Sequence, residues 1–192
     1  MGDVTATAAG KADKPTRPRS TAVVRAPRAE DGADVHDLIA ACPPLDQNSL
    51  YANLLQCTDF ADTCAIAYDS ASGDKTSGEA VGWISGYRPP NEPDVYFLWQ
   101  VAVRESARGQ RLSRRLLTDI LDRPAQRGVR FIKTTITPDN EASWALFQGL
   151  ADWLDAPLKS RPQFDRAKHF KDRHDSEVEV RIGPFDWPQG KA

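Results

Sequence analysis

Between residues 101 and 121 the chain reads V-A-V-R-E-S-A-R-G-Q-R-L-S-R-R-L-L-T-D-I-L: the end of an apolar strand, a short polar turn and an amphipathic helix. Such a turn leaves backbone N–H groups without intrahelical acceptors at the positive end of a helix dipole, which suits a pyrophosphate. Arg108 and Arg111 sit where cations oppose that dipole unless an anion lies between them, which strengthens the expectation. Arg114 and Arg115 fit a solvated basic face opposite Leu112, Leu116, Leu117, Ile120 and Leu121. Little else offers chemistry by spacing. Cys42, Cys57 and Cys64 form no C-x-x-C pair, and three is an odd number for a disulfide framework, so they read as free thiols in a reducing cytoplasm. His169 and His174 have no third ligand at a metal spacing, so no metal is expected, and a lone His36 on a helix reads as a surface or packing residue.

The turn needs a sheet to carry it. A β-prone run at 21–28 ends at Pro27, and Asp31 or Gly32 opens a helical pattern with Val35, Leu38 and Ile39 on one face. Paired prolines make 42–48 a loop, after which Asn48 is expected to cap a helix over 49–57 whose apolar face is Leu50, Leu54 and Leu55, with Tyr51 at its edge. Strands are expected at 63–68 and 80–87, joined by a Gly- and Asp-containing loop at 70–78, and at 95–103, the most apolar segment and therefore central. Gly128 precedes a strand at 131–136, Pro138-Asp139-Asn140 opens a helix over 141–149, residues 151–163 read as loop, 177–182 as a last strand, and 183–192 as irregular. The order β-α-α-β-β-β-α-β-α-β gives an α+β fold, a mostly antiparallel sheet with helices on both faces. No G-x-G-x-x-G or Walker pattern is present, which excludes a Rossmann or P-loop site.

A length of 192 residues suits one domain, expected over 21–185, between a disordered tail at 1–20 and a short tail at 186–192. The first residues have no apolar core for a secretory signal, and Ala6 is wrong for myristoylation. A net charge of -2 with mixed signs speaks against a nucleic-acid partner. No apolar run reaches the ~20 residues that cross a bilayer.

The V-A-V of 101–103, followed by R-G-Q-R-L-S at 108–113 and N-E-A-S-W-A-L-F at 140–147, resembles the GNAT superfamily of acyl-CoA-dependent N-acetyltransferases. Its R/Q-x-x-G-x-G/A signature is matched by Arg108, with Arg111 where glycine is usual and Ser113 where glycine or alanine is usual. P-P-L-D-Q-N-S-L-Y-A-N-L-L-Q-C at 43–57, W-Q-V-A-V at 99–103, T-P-D-N-E-A-S at 137–143 and H-D-S-E-V-E-V-R-I-G-P at 174–184 carry a narrower resemblance, to the diaminobutyrate acetyltransferases of ectoine biosynthesis. It covers roughly residues 21–185.

The resemblance implies a GNAT-like fold, acetyl-CoA as donor, and acetylation of the 4-amino group of L-2,4-diaminobutyrate by a cytoplasmic homodimer serving osmoprotection. It places pantetheine on the backbone of Val101 and Val103, the pyrophosphate on Arg108, Gly109, Gln110, Arg111, Leu112 and Ser113, and further coenzyme contacts on Asn140, Ser143 and Phe147. Phe147 stands where many of these enzymes have a proton-donating tyrosine. The attacking amine must be neutral, and a lysine-like ammonium costs about 4–5 kcal/mol to neutralise at pH 7, so a base is expected. Asp46, Glu92 and Asp94 are the candidates. On the substrate side the resemblance implies Asp46 for an ammonium, Trp99 as a cation–π wall and His174 for the carboxylate or another part of the substrate. The alternatives are an acetyltransferase of another small amine or diamine, and a non-catalytic coenzyme or amino-acid sensor.

Overall fold

The computed structural model describes residues 22–69 and 78–188. The expected tail at 1–20, the loop at 70–78 apart from Gly78, and the last four residues lie outside them. Strands β1 (Val23–Arg25), β2 (Ala65–Tyr68), β3 (Ala80–Tyr87), β4 (Val95–Val103), β5 (Phe131–Ile136), β6 (Leu158–Phe164) and β7 (Glu177–Ile182) form one sheet in the order β1-β2-β3-β4-β5-β7-β6. Among the described residues β4 and β5 run parallel and every other pair is antiparallel.

Helices α1 (Gly32–Ala40) and α2 (Leu50–Cys57) cover one face, where Val35, Leu38, Ile39 and Cys57 pack on Ile66, Trp83 and Ala102. Helices α3 (Leu112–Leu121) and α4 (Glu141–Leu154) cover the other, where Leu116, Leu117 and Leu150 pack with Ile84, Leu98 and Ile132. Neighbours such as Trp83 and Ile84 point to opposite faces, as a strand buried on both sides requires.

One irregularity in β4 matters for everything that follows. Ser85 of β3 faces Gln100 and Gly86 faces Leu98, so Trp99 is an extra residue in β4, a β-bulge. The bulge changes the alternation: Tyr96 and Leu98 pack in the α3/α4 core, and so do Val101 and Val103. The intervening Trp99 and Gln100 are both released to the α1/α2 side.

Several local expectations are corrected. The cap of α2 is Ser49, whose side chain accepts from the Ala52 amide, because Asn48 is engaged elsewhere. The buried face of α2 is Asn53, Gln56 and Cys57 rather than the leucine stripe, and Leu50 is exposed. Asn53 accepts from His36 Nδ1 and donates to Gln56 Oε1, while Gln56 Nε2 is buried without a partner among the described residues. Helix α4 does not stop at Gly149 but runs to Leu154, with Asp155 at φ 50° as a left-handed cap. The segment read as loop therefore holds the last turns of α4 and an edge strand, β6, followed by a short α5 (Arg166–Phe170). Arg115 is exposed and Arg114 partly so, as a solvated face requires, and both are also ties, donating to the backbone oxygens of Ala22 and Gly149 respectively. The irregular end is packed: Phe185 is buried, and Trp187 stacks edge-on to Trp153 and donates to Asp122.

All three cysteines are buried and free. Burial pushes the Cys57 thiol to about 12 and the Cys64 thiol to about 11, and raises Cys42 as well. The native protein is therefore expected to resist iodoacetamide at mildly alkaline pH and to label fully on denaturation, read by intact mass. Rapid native labelling would contradict the burial.

Candidate active site

Strands β4 and β5 pair at Val95–Phe131, Tyr96–Ile132 and Phe97–Lys133, and there the ladder stops although both strands continue. They splay apart, and the gap opens into a cleft of about 1340 Å³. Its floor includes Leu98 to Val101 on one side and Thr134 to Thr137 on the other. A splayed parallel pair exposes unpaired strand amides to a ligand, the arrangement an extended thioester arm needs.

The bulge gives the cleft one aromatic wall. Trp99 is 52 % exposed, so it is not the core aromatic a buried strand would suggest, and it lies edge-on to Tyr87 at 6.5 Å while Tyr87 tilts against Phe97 at 5.0 Å. The opposite wall comes from β6, α5 and the loop after it: Phe164, Phe170 and His174 are chained by ring contacts, 6.0 Å between the phenylalanines and 4.8 Å from Phe170 to His174. This wall, with Lys168 and His169, was invisible to pattern reading because its strand and helix were.

Carboxylates dominate the cleft's charge. Asp46, Asp139, Asp175 and Glu177 line it, against the cations Lys133 and Lys168. The carboxylate of Asp46 stands 3.9 Å from His174 Nε2. His174 Nδ1 lies 2.8 Å from the backbone oxygen of Asp175, which can only accept, so the neutral ring carries its proton on Nδ1 and presents Nε2 as an acceptor. Donation to a substrate carboxylate would thus require the imidazolium. Two acceptors facing across a short gap make a seat for an ammonium.

Of the expected bases, Asp46 lines the cleft and the other two do not. Glu92 is bonded by Lys133 and by Arg181, the latter at 2.7 Å, and these bonds hold its carboxyl below the usual range. A carboxylate so held is a poor base. Asp94 lies just before β4, where its backbone oxygen takes the amides of Arg130 and Phe131.

On the coenzyme side, Val101, Asn140, Ser143 and Phe147 line the cleft, while Val103 and residues 108–113 lie beyond it. Asn140 caps α4 by accepting from the Ser143 amide at 3.0 Å. In the turn before α3, Gly109 has φ 76° and Arg111 φ 58°. Arg111 thus holds a left-handed conformation costing a side chain about 1–2 kcal/mol, the physical reason glycine suits that position. Among the described residues the amides of 109–113 donate to no backbone oxygen, whereas Arg114 and Arg115 donate to that of Arg111. The fold therefore leaves a row of free donors at the start of a ten-residue helix, which fits a pyrophosphate. Among the described residues no cluster of three or more His, Cys, Asp or Glu is arranged to hold a metal, and no helix is long and apolar enough to cross a membrane.

Residues 33–151 match the model of the acetyltransferase (GNAT) family. The chain is 52 % identical over 159 residues to the L-2,4-diaminobutyric acid acetyltransferase of Methylotuvimicrobium alcaliphilum, covering 83 % of this chain and 88 % of that one. It is 49 % identical to the enzyme of the same name from Halomonas elongata, covering 86 % and 83 %. Among solved structures it superposes on the diaminobutyrate acetyltransferase of Paenibacillus lautus, determined with L-2,4-diaminobutyric acid and coenzyme A, with a TM-score of 0.77 and 37 % identity over 89 % of this chain and 99 % of that one. The NatC complex bound to Gag peptide and CoA, 17 % identical with a TM-score of 0.65, shares the fold.

Proposed function

Because the chain belongs to the acetyltransferase (GNAT) family, and within it to the L-2,4-diaminobutyric acid acetyltransferases, we propose that its cleft joins acetyl-coenzyme A to the 4-amino group of L-2,4-diaminobutyrate. The product, N4-acetyl-L-2,4-diaminobutyrate, is the precursor closed to ectoine, which makes the enzyme a cytoplasmic contributor to osmoprotection. It acts as a homodimer of a domain spanning 21–185 between tails at 1–20 and 186–192. The observation that carries the substrate is the acidic, aromatic-walled cleft at the splay of β4 and β5. A diamino acid brings two ammonium groups and one carboxylate, and the cleft's charge is the complement of its net positive charge.

The residues divide the work by position. Val101 and Val103 offer the β4 backbone to the pantetheine arm, the 109–113 amides and Arg108 and Arg111 hold phosphate, and Asn140, Ser143 and Phe147 line the space beside them. Asp46 and His174 Nε2 hold an ammonium between them, with Trp99 packed against it. For transfer, the ammonium passes one proton to Asp46, the candidate base that lines the cleft; the lone pair so freed forms the C–N bond, the C–S bond breaks with its electrons on sulfur, and the second N–H proton leaves to water as the amide forms. Phe147 cannot protonate that sulfur, and a thiol of ordinary pKa near ~8.5 leaves tolerably as thiolate. Selection of the outer nitrogen comes from placement, since the α-amine is the less basic of the two.

Purified protein with acetyl-coenzyme A is expected to release thiol with L-2,4-diaminobutyrate in preference to ornithine, lysine and polyamines, with the acetyl group on N4 by NMR. Preference for another amine would reassign the substrate. Coenzyme binding by calorimetry without turnover would make the protein a sensor.

A further inference from the structure

Gln100 follows Trp99 in the bulge and, like it, lines the cleft, yet its side chain is spent on bonds within the protein. It is 8 % exposed and makes two bonds, both to the loop between α1 and α2. Its Nε2 donates to the backbone oxygen of Asp46 at 2.8 Å, and its Oε1 accepts from Asn48 Nδ2 at 2.9 Å. A backbone oxygen only accepts, so the amide has one orientation that satisfies both. The bulge makes this possible: strict alternation from Leu98 would bury Gln100 in the apolar α3/α4 core. The loop, by contrast, has little of its own to hold it. Its backbone bond is Leu45 N–H to Cys42 at 3.2 Å, and the Asp46 side chain is 88 % exposed.

We infer that Gln100 is a positioning residue that clamps the 43–48 loop to β4, so that the Asp46 carboxylate stands opposite His174 in register with the backbone of Val101. The inference rests on the reading of Asp46 as a substrate-binding residue. A single W-Q-V run then serves three ends: Trp99 walls the substrate, Gln100 sets the acid, and Val101 offers its backbone to the coenzyme.

The test is a double-mutant cycle between Gln100→Glu and Asp46→Ala, read as KM for each substrate. Glutamate keeps the shape and the bond from Asn48 but turns an acceptor on the Asp46 carbonyl. Gln100→Glu is expected to raise KM for diaminobutyrate about tenfold, with KM for acetyl-coenzyme A unchanged. In the Asp46→Ala background it is expected to change KM for diaminobutyrate less than about twofold, because no carboxylate remains to be misplaced. An equal factor in both backgrounds would mean a merely structural role, and no rise in the wild-type background would overturn the inference outright. If Asp46→Ala alone leaves KM for diaminobutyrate unchanged, the reading of Asp46 fails instead. Asn48→Ala, at a half-buried position, removes the other arm of the clamp; it is expected to show the same signature at about threefold and serves if Gln100→Glu does not fold.

Discussion

Replacing Asp46 by alanine is expected to raise KM for L-2,4-diaminobutyrate about 10- to 100-fold and to leave KM for acetyl-coenzyme A near its original value. The size follows from a charge-assisted hydrogen bond to an ammonium, worth about 1.5–3 kcal/mol. The direction follows from geometry. The carboxylate lines the cleft 3.9 Å from His174 Nε2 on a loop remote in sequence from the turn before α3, so losing it strips one substrate of a partner and leaves the other's site intact. Trp99→Ala is expected to fall on the same substrate, more weakly, since a cation–π contact at an exposed ring is worth about 0.5–1 kcal/mol. Steady-state kinetics with each substrate varied in turn decides the matter; wild-type KM for diaminobutyrate in Asp46→Ala would remove Asp46 from the site.

The second large effect concerns stability. Asp31, with a side chain 6 % exposed, accepts from both Arg25 Nη1 and Nη2 at 2.7 and 2.8 Å, from the Arg28 amide at 2.6 Å and from the Tyr68 hydroxyl at 2.8 Å. It fastens β1 and the start of α1 to β2. Asp31→Ala strips the Arg25 guanidinium and the Arg28 amide of this acceptor, while the Tyr68 hydroxyl keeps Asp34 at 2.7 Å, and is expected to destabilise the fold by about 3 kcal/mol. Burial opposes ionisation of Asp31, but the bonds from Arg25, Arg28 and Tyr68 outweigh it and hold its pKa below the usual carboxylate value. A carboxyl depressed in the folded state contributes stability that is complete above its unfolded pKa of about 3.9 and lost as pH falls through the folded value. Denaturant unfolding from neutral to acid pH should therefore show the wild type converging on Asp31→Ala at low pH. A constant gap between them would refute the assignment.

The parts of this fold that the sequence disclosed are those with two buried sides or a clear amphipathic stripe. The run V-Y-F-L-W-Q-V-A-V is apolar because β4 is covered on both faces, and the leucines of α3 lie on one side because that helix has one face to bury. Strand β6 has almost nothing buried: its Lys159, Arg161 and Pro162 read as loop because nothing packs on them. Gly149 read as a helix end because glycine often is one, but the left-handed cap is Asp155. Similar reasons governed the site. The turn before α3 could be named a candidate from residue types alone, whereas Asp46, Trp99 and His174 became candidates only through resemblance, since a turn aspartate, a strand tryptophan and a lone histidine have ordinary structural uses. Glu92 was misleading because sequence does not show that Lys133 and Arg181 come to meet it.

The bulge at Trp99 also fixes how many side chains β4 can direct away from the α3/α4 core between Leu98 and Val101. A substitution at 99 alters one wall of the cleft and leaves the remaining directions as they were. Loss of one codon at 99 or 100 would restore strict alternation with Val101 and Val103 still in the core, but would leave one side chain where Trp99 and Gln100 now both face away from it, so either the aromatic wall or the tie to the 43–48 loop would be lost. A regular strand one residue shorter has room for one of these two side chains on that side, and the bulge is what makes room for both.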